Sequence, residues 1–373
     1  MSVHQDGRTL VASTRNPMSD SCVIRSYRPE DRPDVLALHE TVFGDGHGPE
    51  WFAWKFENNP YIDHVPIIVA EHDGDIVGAR PLMALPMTIQ GETVLGLQTT
   101  DLMVHPNYRR NGLFTEMVAV ATDRYRRHDA AFLFSFPNRR ALSGYDEFGW
   151  TTVGRVPTYY RVQRPSALIQ SSSGLSDGLL TVAPTALSAL DSMRTLVSPA
   201  TTSVKRIDQM PVELLASLYR SYVPNRIHAH RDGTFYNWRF DNPVWDYETY
   251  VAQQGDSTTA AAIVGKTLKE GVKIVAITDL VPSPPKECES VGAILETVVS
   301  DNSEADLLIA GSSVLTSTLA GRYGFLADSS LPLSPVTNTS VLIATLLDRD
   351  SGPATGLGDI NKWLVGLTEQ DTF

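Results

Sequence analysis

An internal repeat is the feature that most constrains the fold of this 373-residue chain. Two stretches, WFAWKFENNP at 51–60 and FYNWRFDNP at 235–243, each contain Trp, a basic residue, Phe, an acid, Asn and Pro in that order. The tryptophans Trp54 and Trp238 lie 184 positions apart. Because a helix candidate precedes each stretch, at 33–43 and 211–222, we expect two copies of one domain and not a solenoid.

Further matches support the duplication, but the copies differ in chemistry. The triplet TDL closes an apolar strand at 100–102 and again at 278–280, and the pattern Tyr, Gly, aromatic at 145–150 has a looser echo at 321–325. The loop at 281–292, VPSPPKECESVG, has no Arg, two acids and three prolines, which lack a backbone donor. We therefore expect the second copy to be a structural half that binds no phosphate.

The predicted domains follow from composition and periodicity. We expect a disordered tail at 1–20, a first domain at 21–165, a linker at 166–200, a second domain at 201–347 and a tail at 348–373. The linker holds the Ser/Gly-rich stretch QSSSGLSDG at 170–178. Helices predicted at 33–43 and 113–127 alternate with strands predicted at 66–71, 76–87, 93–104, 131–135 and 158–163. This order predicts an α/β fold with a mixed central sheet flanked by helices in each domain.

Composition and charge narrow the function classes. A net charge of −12 and a pI near 5.2 argue against general binding to nucleic acid or to an anionic membrane. Cys22 and Cys288 are the only cysteines, too few for a disulfide framework or a zinc site. No apolar run approaches the roughly 18 residues of a membrane span, so a cytoplasmic location is expected.

The segment TDLMVHPNYRRNGLFTEMVAVATDRYRR at 100–127 predicts an anion site. It is typical of a buried strand, a loop with Arg and Gly, and an amphipathic helix in which Leu113, Met117, Val120 and Ala121 face a sheet. The first N–H groups of a helix lack intrahelical partners and carry the positive end of its dipole. Residues 105–140 also hold seven Arg against three acids, which favours a ligand with several phosphates.

The stretch HPNYRRNGLF at 105–114 resembles the cofactor loop of the GNAT superfamily of acyl-CoA-dependent N-acyltransferases. That family has Arg/Gln-x-x-Gly-x-Gly/Ala after a strand, and here Phe114 replaces the last small residue. The Arg-Arg-x-Gly-Leu-bulky variant is similar to the enhanced intracellular survival branch, although we do not expect that branch's third domain in this chain. The resemblance implies acetyl-CoA as co-substrate and no metal. The cofactor contacts that it implies are Met103, Val104, Arg109, Arg110, Asn111, Gly112, Leu113, Phe114 and Asn138.

A second GNAT signature lies at the expected distance along the chain. In the family, the segment after the fifth strand has Asn, then Ala three residues on, Tyr seven on, and Gly with an aromatic residue four and five beyond that Tyr. This chain meets those offsets with Asn138, Ala141, Tyr145 and 149–150. The two signatures together favour a GNAT-type N-acetyltransferase.

The resemblance also implies catalytic roles. Tyr145 is the candidate acid, because a phenol has a reference pKa of about 10 and can protonate a departing thiolate. A backbone N–H near Met103 is the candidate oxyanion donor. Two residues remain candidates for the general base that accepts the proton of the amine. Asp101 lies near the expected reaction centre, although its match in the second copy favours a structural role. Phe373 could supply its terminal carboxylate, as in the enhanced intracellular survival branch, because the segment INKWLVGLTEQDTF is apolar enough to dock.

The expected reaction moves an acetyl group from acetyl-CoA to a primary amine of a small molecule, peptide or protein, within the first domain. A non-catalytic acyl-CoA-binding or scaffold module derived from such an enzyme is the alternative. A third reading, a Fem-type aminoacyl transferase, fits poorly because its charged-tRNA partner conflicts with the acidic net charge. The sequence leaves open whether the chain forms homo-oligomers, which acceptor it uses and the acyl chain length.

Overall fold

The computed structural model describes residues 22–44, 46–146, 148–164, 202–283, 289–335, 337–347 and 356–371. The strands are β1 (Val23–Ser26), β2 (Ile67–His72), β3 (Asp75–Ile89), β4 (Glu92–Thr99), β5 (Met103–Val104), β6 (Ala130–Ser135), β7 (Thr151–Val156), β8 (Thr158–Val162), β9 (Thr202–Ile207), β10 (His228–Ala229), β11 (Asp246–Gln254), β12 (Ser257–Lys269), β13 (Val272–Val281), β14 (Leu307–Gly311), β15 (Leu326–Ala327) and β16 (Ser340–Leu346). The helices are α1 (Arg32–Phe43), α2 (Pro49–Phe52), α3 (Leu113–Arg126), α4 (Arg139–Asp146), α5 (Val212–Ser221), α6 (Gly233–Arg239), α7 (Glu289–Asp301) and α8 (Ser317–Arg322).

The chain divides into two compact units. Among the described residues, one unit takes in those up to 47, 67–81 and 101–123, and the other takes in 48–66, 82–100 and those from 124 onward. The predicted boundaries at 20, 165, 200 and 347 stay predictions, since 1–21, 165–201 and 348–355 lie outside the described residues.

In the first unit, β2 pairs antiparallel with β1 and with the beginning of β3, and β5 pairs with β3 through Met103 opposite Ala79. Helix α3 packs on this sheet through side chains spaced four residues apart. The core they share contains Ile68, Ala70, Val77, Leu113, Met117 and Ala121. Burial of this apolar stripe fixes the helix against the strands, and with it the turn that precedes the helix.

Two local expectations for this region were wrong. Val120 is exposed, and Val118 is buried in its place, because the buried stripe of α3 is centred on Met117 and Ala121. The strand expected over 93–104 is interrupted, since residues 100–102 lie between β4 and β5. Asp101 adopts a left-handed backbone there, with φ of 35°, which regular strand geometry does not allow.

The second unit contains two sheets. In one, the end of β3 pairs with β4, β4 runs parallel to β6, and β16 lies antiparallel between β6 and β7. The other has the strand order β15-β8-β14-β13-β12-β11-β9, with β13 and β14 parallel. Both sheets are mixed, and helices pack on them, as α7 does through Val291, Ile294 and Val298. The predicted α/β class with mixed sheets flanked by helices is confirmed.

Strands β8 and β16 each join the sheet built mainly from the other half of the sequence. β8, at 158–162, pairs with β14, whereas β16, at 340–346, pairs with β6 and β7. The backbone donors and acceptors of each half are thus partly satisfied by a strand from the other half.

The two Trp motifs contact each other directly. Trp54 Nε1 donates to the carbonyl of Trp238 at 2.7 Å, and Trp238 Nε1 donates to the carbonyl of Trp54 at 2.9 Å. The rings stack with centroids 6.1 Å apart. The first motif is one residue longer, and a π-helical turn, Ala53–Glu57, stands where the second motif has regular helix α6. A π turn holds one more residue than an α turn, so it absorbs the insertion.

The C-terminal segment is docked, as its apolar side chains predicted. Trp363, Leu364, Val365 and Leu367 are all buried. Matched basic residues of the two Trp motifs hold the next few residues of the chain. Lys55 pairs with Asp371 at 3.1 Å, and Arg239 donates to the carbonyls at 368 and 370. These charge-assisted contacts fix the course of the chain as far as residue 371.

Candidate active site

The predicted anion-binding turn lies between β5 and α3 in the first unit. A 3₁₀ turn, Pro106–Tyr108, follows β5, and the ring of His105 accepts a hydrogen bond from the backbone N–H of Asn107 at 3.3 Å. Arg110 and Gly112 then adopt left-handed backbones, with φ of 67° and 83°. These two residues reverse the chain direction, so that α3 begins at Leu113.

The turn is anchored by contacts at its two ends, and its middle is exposed to solvent. Leu113 is buried in the core of the unit, and Arg109 Nε donates to the carbonyl of Val104 at 3.1 Å. Arg109, Arg110 and Gly112 are exposed. A Cβ at Gly112 would meet nothing closer than Glu116 Oε1 at 3.9 Å. The geometry therefore offers two guanidinium groups and a helix N-terminus to an incoming anion.

The other predicted cofactor contacts of this stretch lie on β5 or next to Gly112. Met103 is buried and Val104 is half-buried on β5, while Asn111 and Phe114 are half-buried at the two sides of Gly112. Asp101 is half-buried two residues before β5. Met103 to Phe114 thus form one continuous element, and their predicted contacts with the cofactor stay predictions.

Tyr145 and Asn138 lie in the second unit, on α4 and at its start. Tyr145 is buried and packs edge-on against Trp150, with ring centroids 4.9 Å apart. The side-chain oxygen of Asn138 accepts a hydrogen bond from the backbone N–H of Ala141 at 3.0 Å, which caps the helix. The offset of three that marks Asn and Ala in the family signature is therefore a capping distance, and the cofactor role of Asn138 stays a prediction.

Phe373 lies outside the described residues. The structure describes the segment up to Asp371, whose carboxylate accepts a hydrogen bond from Gln98 Nε2 at 3.2 Å in addition to its pairing with Lys55. Gln98 is fully buried near the end of β4. The C-terminal segment therefore contacts β4 at Gln98, close to the end of that strand.

Sequence reasoning missed a buried ionic cluster in the second copy. Arg231 Nε lies 2.9 Å from Asp279 Oδ2, and Arg231 Nη2 lies 2.9 Å from Glu369 Oε1. Burial alone lowers the pKa of Arg231, but the charges of Asp279 and Glu369 outweigh it and raise the pKa above its ordinary value. Asp279, the repeat partner of Asp101, is thus an internal ion-pair residue. The repeated TDL triplet was the only signal for it.

A buried histidine adjoins this cluster. His228 is fully buried, its Nε2 lies 2.9 Å from the hydroxyl of Tyr219, and its Nδ1 donates to the carbonyl of Arg226. Burial, and then the charge of Arg231, lower the pKa of His228 to about 3. The imidazole is therefore neutral at physiological pH.

Comparison with known proteins supports the resemblance over one segment of the chain. Residues 23–153 match a family model described as an acetyltransferase (GNAT) domain. Over this segment the chain is similar to a GNAT acetyltransferase domain. This match includes both predicted signatures and confirms the expectation of a GNAT-type N-acetyltransferase. No curated protein matches the chain.

Solved structures share the fold of this chain over most of its length. A GCN5-related N-acetyltransferase from Anabaena variabilis has a TM-score of 0.59 at 12% identity, and 88% of this chain and 73% of that one are covered. One from Kribbella flavida has 0.58 at 15% identity, with 89% and 73% covered. A probable N-acyltransferase from Enterococcus faecalis has 0.61 at 9% identity, with 87% and 73% covered. At these identities the likeness concerns the fold alone.

Metal-binding and membrane-spanning features are both missing from the described residues. No cluster of three or more His, Cys, Asp or Glu side chains among them is arranged to hold a metal ion. None of the helices in the described part of the chain has the length and apolar character needed to cross a membrane.

Proposed function

We propose that the chain transfers an acetyl group from acetyl-CoA to a primary amine of a small molecule, peptide or protein. The activity is assigned to the predicted first domain, 21–165, and the predicted second domain, 201–347, is assigned no turnover. The observation that carries this proposal is the turn from Arg109 to Gly112, which opens at the N-terminus of α3 inside the segment matched by the GNAT model.

In this proposal the turn binds the pyrophosphate of the co-substrate. The N–H groups at the start of α3 point along the helix axis, and the guanidinium groups of Arg109 and Arg110 supply compensating charge. Backbone groups of Met103 and Val104 pair with the pantetheine arm, and Asn138 steadies that arm. Because Leu113 is anchored in the core, the N–H groups at the start of α3 are held in place before the ligand arrives.

The chemical step is direct transfer. The amine nitrogen forms a bond to the thioester carbonyl carbon, the carbon–sulfur bond breaks, and the thiolate takes the proton of the Tyr145 hydroxyl. The position of Tyr145, seven residues after Asn138 as in the family signature, supports this role. The proton of the amine passes to a base, for which Asp101 is the candidate among the described residues.

The test is release of free thiol from acetyl-CoA in the presence of a panel of amines. We expect Tyr145→Phe to lower kcat by roughly 10²- to 10⁴-fold, the usual contribution of a positioned proton donor, without weakening coenzyme A binding. Tyr323→Phe is the matched control, since Tyr323 occupies the echo of this motif in the second copy, and it should leave kcat unchanged. Unchanged turnover in Tyr145→Phe would remove the phenol from the mechanism. Coenzyme A binding without thiol release on any amine would favour the alternative of a non-catalytic acyl-CoA-binding module.

A further inference from the structure

Three successive residues at the end of β4 carry buried side-chain oxygens that have no hydrogen-bond partner among the described residues. These atoms are Oε1 of Gln98, Oγ1 of Thr99 and Oγ1 of Thr100. Gln98 is fully buried, and the two threonines are 5% and 4% exposed. Native proteins rarely leave a buried polar atom unpaired, because it costs free energy. A hydroxyl can rotate toward a new partner, whereas an amide oxygen only accepts, so Gln98 requires a donor.

The amide of Gln98 is held in one orientation. Its Nε2 donates to Asp371 Oδ1 at 3.2 Å, and Lys55 Nζ donates to Asp371 Oδ2 at 3.1 Å. Each carboxylate oxygen therefore receives a hydrogen bond, and the buried Lys55 balances the charge. A reversed amide would place Gln98 Oε1 against the carboxylate, and two acceptors repel each other. The contact with Asp371 thus keeps Oε1 on the side of the amide that faces away from the carboxylate.

Gln98 lies near the carboxyl end of a parallel pair of strands. β4 and β6 run parallel, with Gln98 opposite Phe134. The carboxyl ends of such strands lie side by side, and open α/β sheets bind their ligands at this edge. After β4 the chain continues to Asp101, the candidate base, and after β6 it continues to α4, which carries Tyr145. The segments that carry the proposed acid and the candidate base therefore both follow this strand pair.

The attacking amine of the proposed reaction has the donor that this oxygen requires. A neutral primary amine has two N–H groups on its nitrogen. One proton passes to the base, and the other N–H group can donate to an acceptor of the protein. A secondary amine has a single N–H group, which cannot serve both partners. A fixed acceptor such as Gln98 Oε1 therefore distinguishes the two classes of amine.

We propose that Gln98 is a specificity-determining residue, whose Oε1 accepts a hydrogen bond from the second N–H group of a primary amine acceptor. Asp371 and Lys55 are positioning residues, because they act through the orientation of the Gln98 amide. This inference rests on the proposed acetyl transfer and names the residue that restricts its acceptor to primary amines.

The test compares primary amines with their N-methyl derivatives in the thiol-release assay. The probes are the primary amines of the panel that support turnover, with 2-phenylethylamine and n-butylamine included, and the N-methyl derivative of each. In the wild type, we expect kcat/KM for the primary amine to exceed kcat/KM for its derivative. Gln98→Met keeps the side-chain length but removes the amide, and it should reduce this ratio at least about tenfold, because one buried hydrogen bond is lost. The steric effect of the methyl group is common to both proteins and cancels in the comparison.

Gln163→Met is the matched control. Gln163 directly follows β8, and both ends of its amide are bonded within the protein, to Arg161 Nε and to the carbonyl of Val299. Its ratio should equal that of the wild type. A merely structural role of Gln98 would lower kcat/KM for both amines alike and leave the ratio unchanged, which would overturn the proposal. An equal fall of the ratio in Gln163→Met would overturn it as well.

A crystal of the wild-type chain soaked with coenzyme A and 2-phenylethylamine gives a readout that does not depend on the folding of any variant. The amine nitrogen should lie within hydrogen-bond distance of Gln98 Oε1. Density for the amine only elsewhere, or none at all, would contradict the proposal. Thiol release with an unchanged ratio would remove the role of Gln98 and leave the proposed function standing. No thiol release from any amine would remove the proposed function and this inference with it.

Discussion

Each copy has a connection that leads from a strand to a helix, and the two connections differ in the chemistry of their side chains. In the first, β5 leads through two exposed arginines and a left-handed Gly112 into α3. In the second, β13 ends at Val281, before Pro282 and a buried Ser283, and α7 begins at the acidic Glu289. Asp279, the aspartate of the TDL triplet in the second copy, forms a buried ion pair with Arg231. A duplicated fold can thus keep its frame while one copy leaves charge exposed at this connection and the other buries charge in an ion pair.

The largest expected effect comes from breaking the buried cluster of the second copy. Arg231→Met leaves the carboxylates of Asp279 and Glu369 buried without their cation, which typically costs about 3–5 kcal/mol. Urea unfolding should show this loss. The exposed Arg110→Met in the first copy is the control and should change the free energy of unfolding by less than about 0.5 kcal/mol. Equal losses in both variants would contradict the contrast between the copies.

Acid should destabilise the second copy through His228. Its pKa is lowered to about 3 in the folded chain, against about 6.5 when unfolded, so the unfolded state binds the extra proton between these values. The contribution is fully present above pH 6.5 and is lost as the pH falls, by up to about 1.4 kcal/mol per pH unit. Urea midpoints measured from pH 7 to pH 4 should show a shallower slope for His228→Gln. An unchanged slope in His228→Gln would contradict this account.

The backbone of the turn at 109–112 gives the next effect. Gly112→Val places a β-branched residue at φ of 83°, which costs on the order of 1–3 kcal/mol. Part of this strain is relieved by distorting the turn, so coenzyme A affinity should fall by up to roughly 5- to 150-fold. Gly271→Val is the control, since Gly271 has φ of 82° in the β12–β13 hairpin of the second copy. It should lower stability but not affinity, and an equal loss of affinity would remove the special role of the turn.

The smallest effect should come from the exposed arginines. Arg109→Met combined with Arg110→Met should weaken coenzyme A binding about 5- to 30-fold at low salt, because two solvent-screened charges are removed. The difference from wild type should shrink in 0.5 M salt, measured by calorimetry. Arg322→Met on α8 of the second copy should have no effect at either salt concentration. A loss that does not depend on salt would indicate that the arginines act through structure and not through charge.

Local patterns predicted the local structure well. The positions of Leu113, Met117 and Ala121 predicted the packing of α3, and the apolar side chains near Trp363 predicted a docked C-terminal segment. The sequence placed the turn at 109–112 because Gly and Arg have strong local preferences. These features depend on neighbours within a few residues, and the periodicity of the sequence records them directly.

Long-range pairings were not predictable in this way. Nothing in the pattern of β8 or β16 says which sheet each strand joins, because every strand offers the same backbone donors and acceptors to a neighbour. The bond between Arg231 and Glu369 joins residues 138 positions apart, and neither residue stands in a motif. Asn138 and Ala141 have the spacing of the family signature and also the spacing of a helix cap. The sequence alone therefore did not distinguish the two roles of Asn138.

The number of coenzyme A molecules bound per chain tests the central contrast most directly. Calorimetric titration of acetyl-CoA into the intact chain should give one site, which Gly112→Val weakens and Gly271→Val does not. No detectable binding, or a second equivalent site, would contradict the account. So would a crystal soaked with acetyl-CoA that shows density only between β13 and α7.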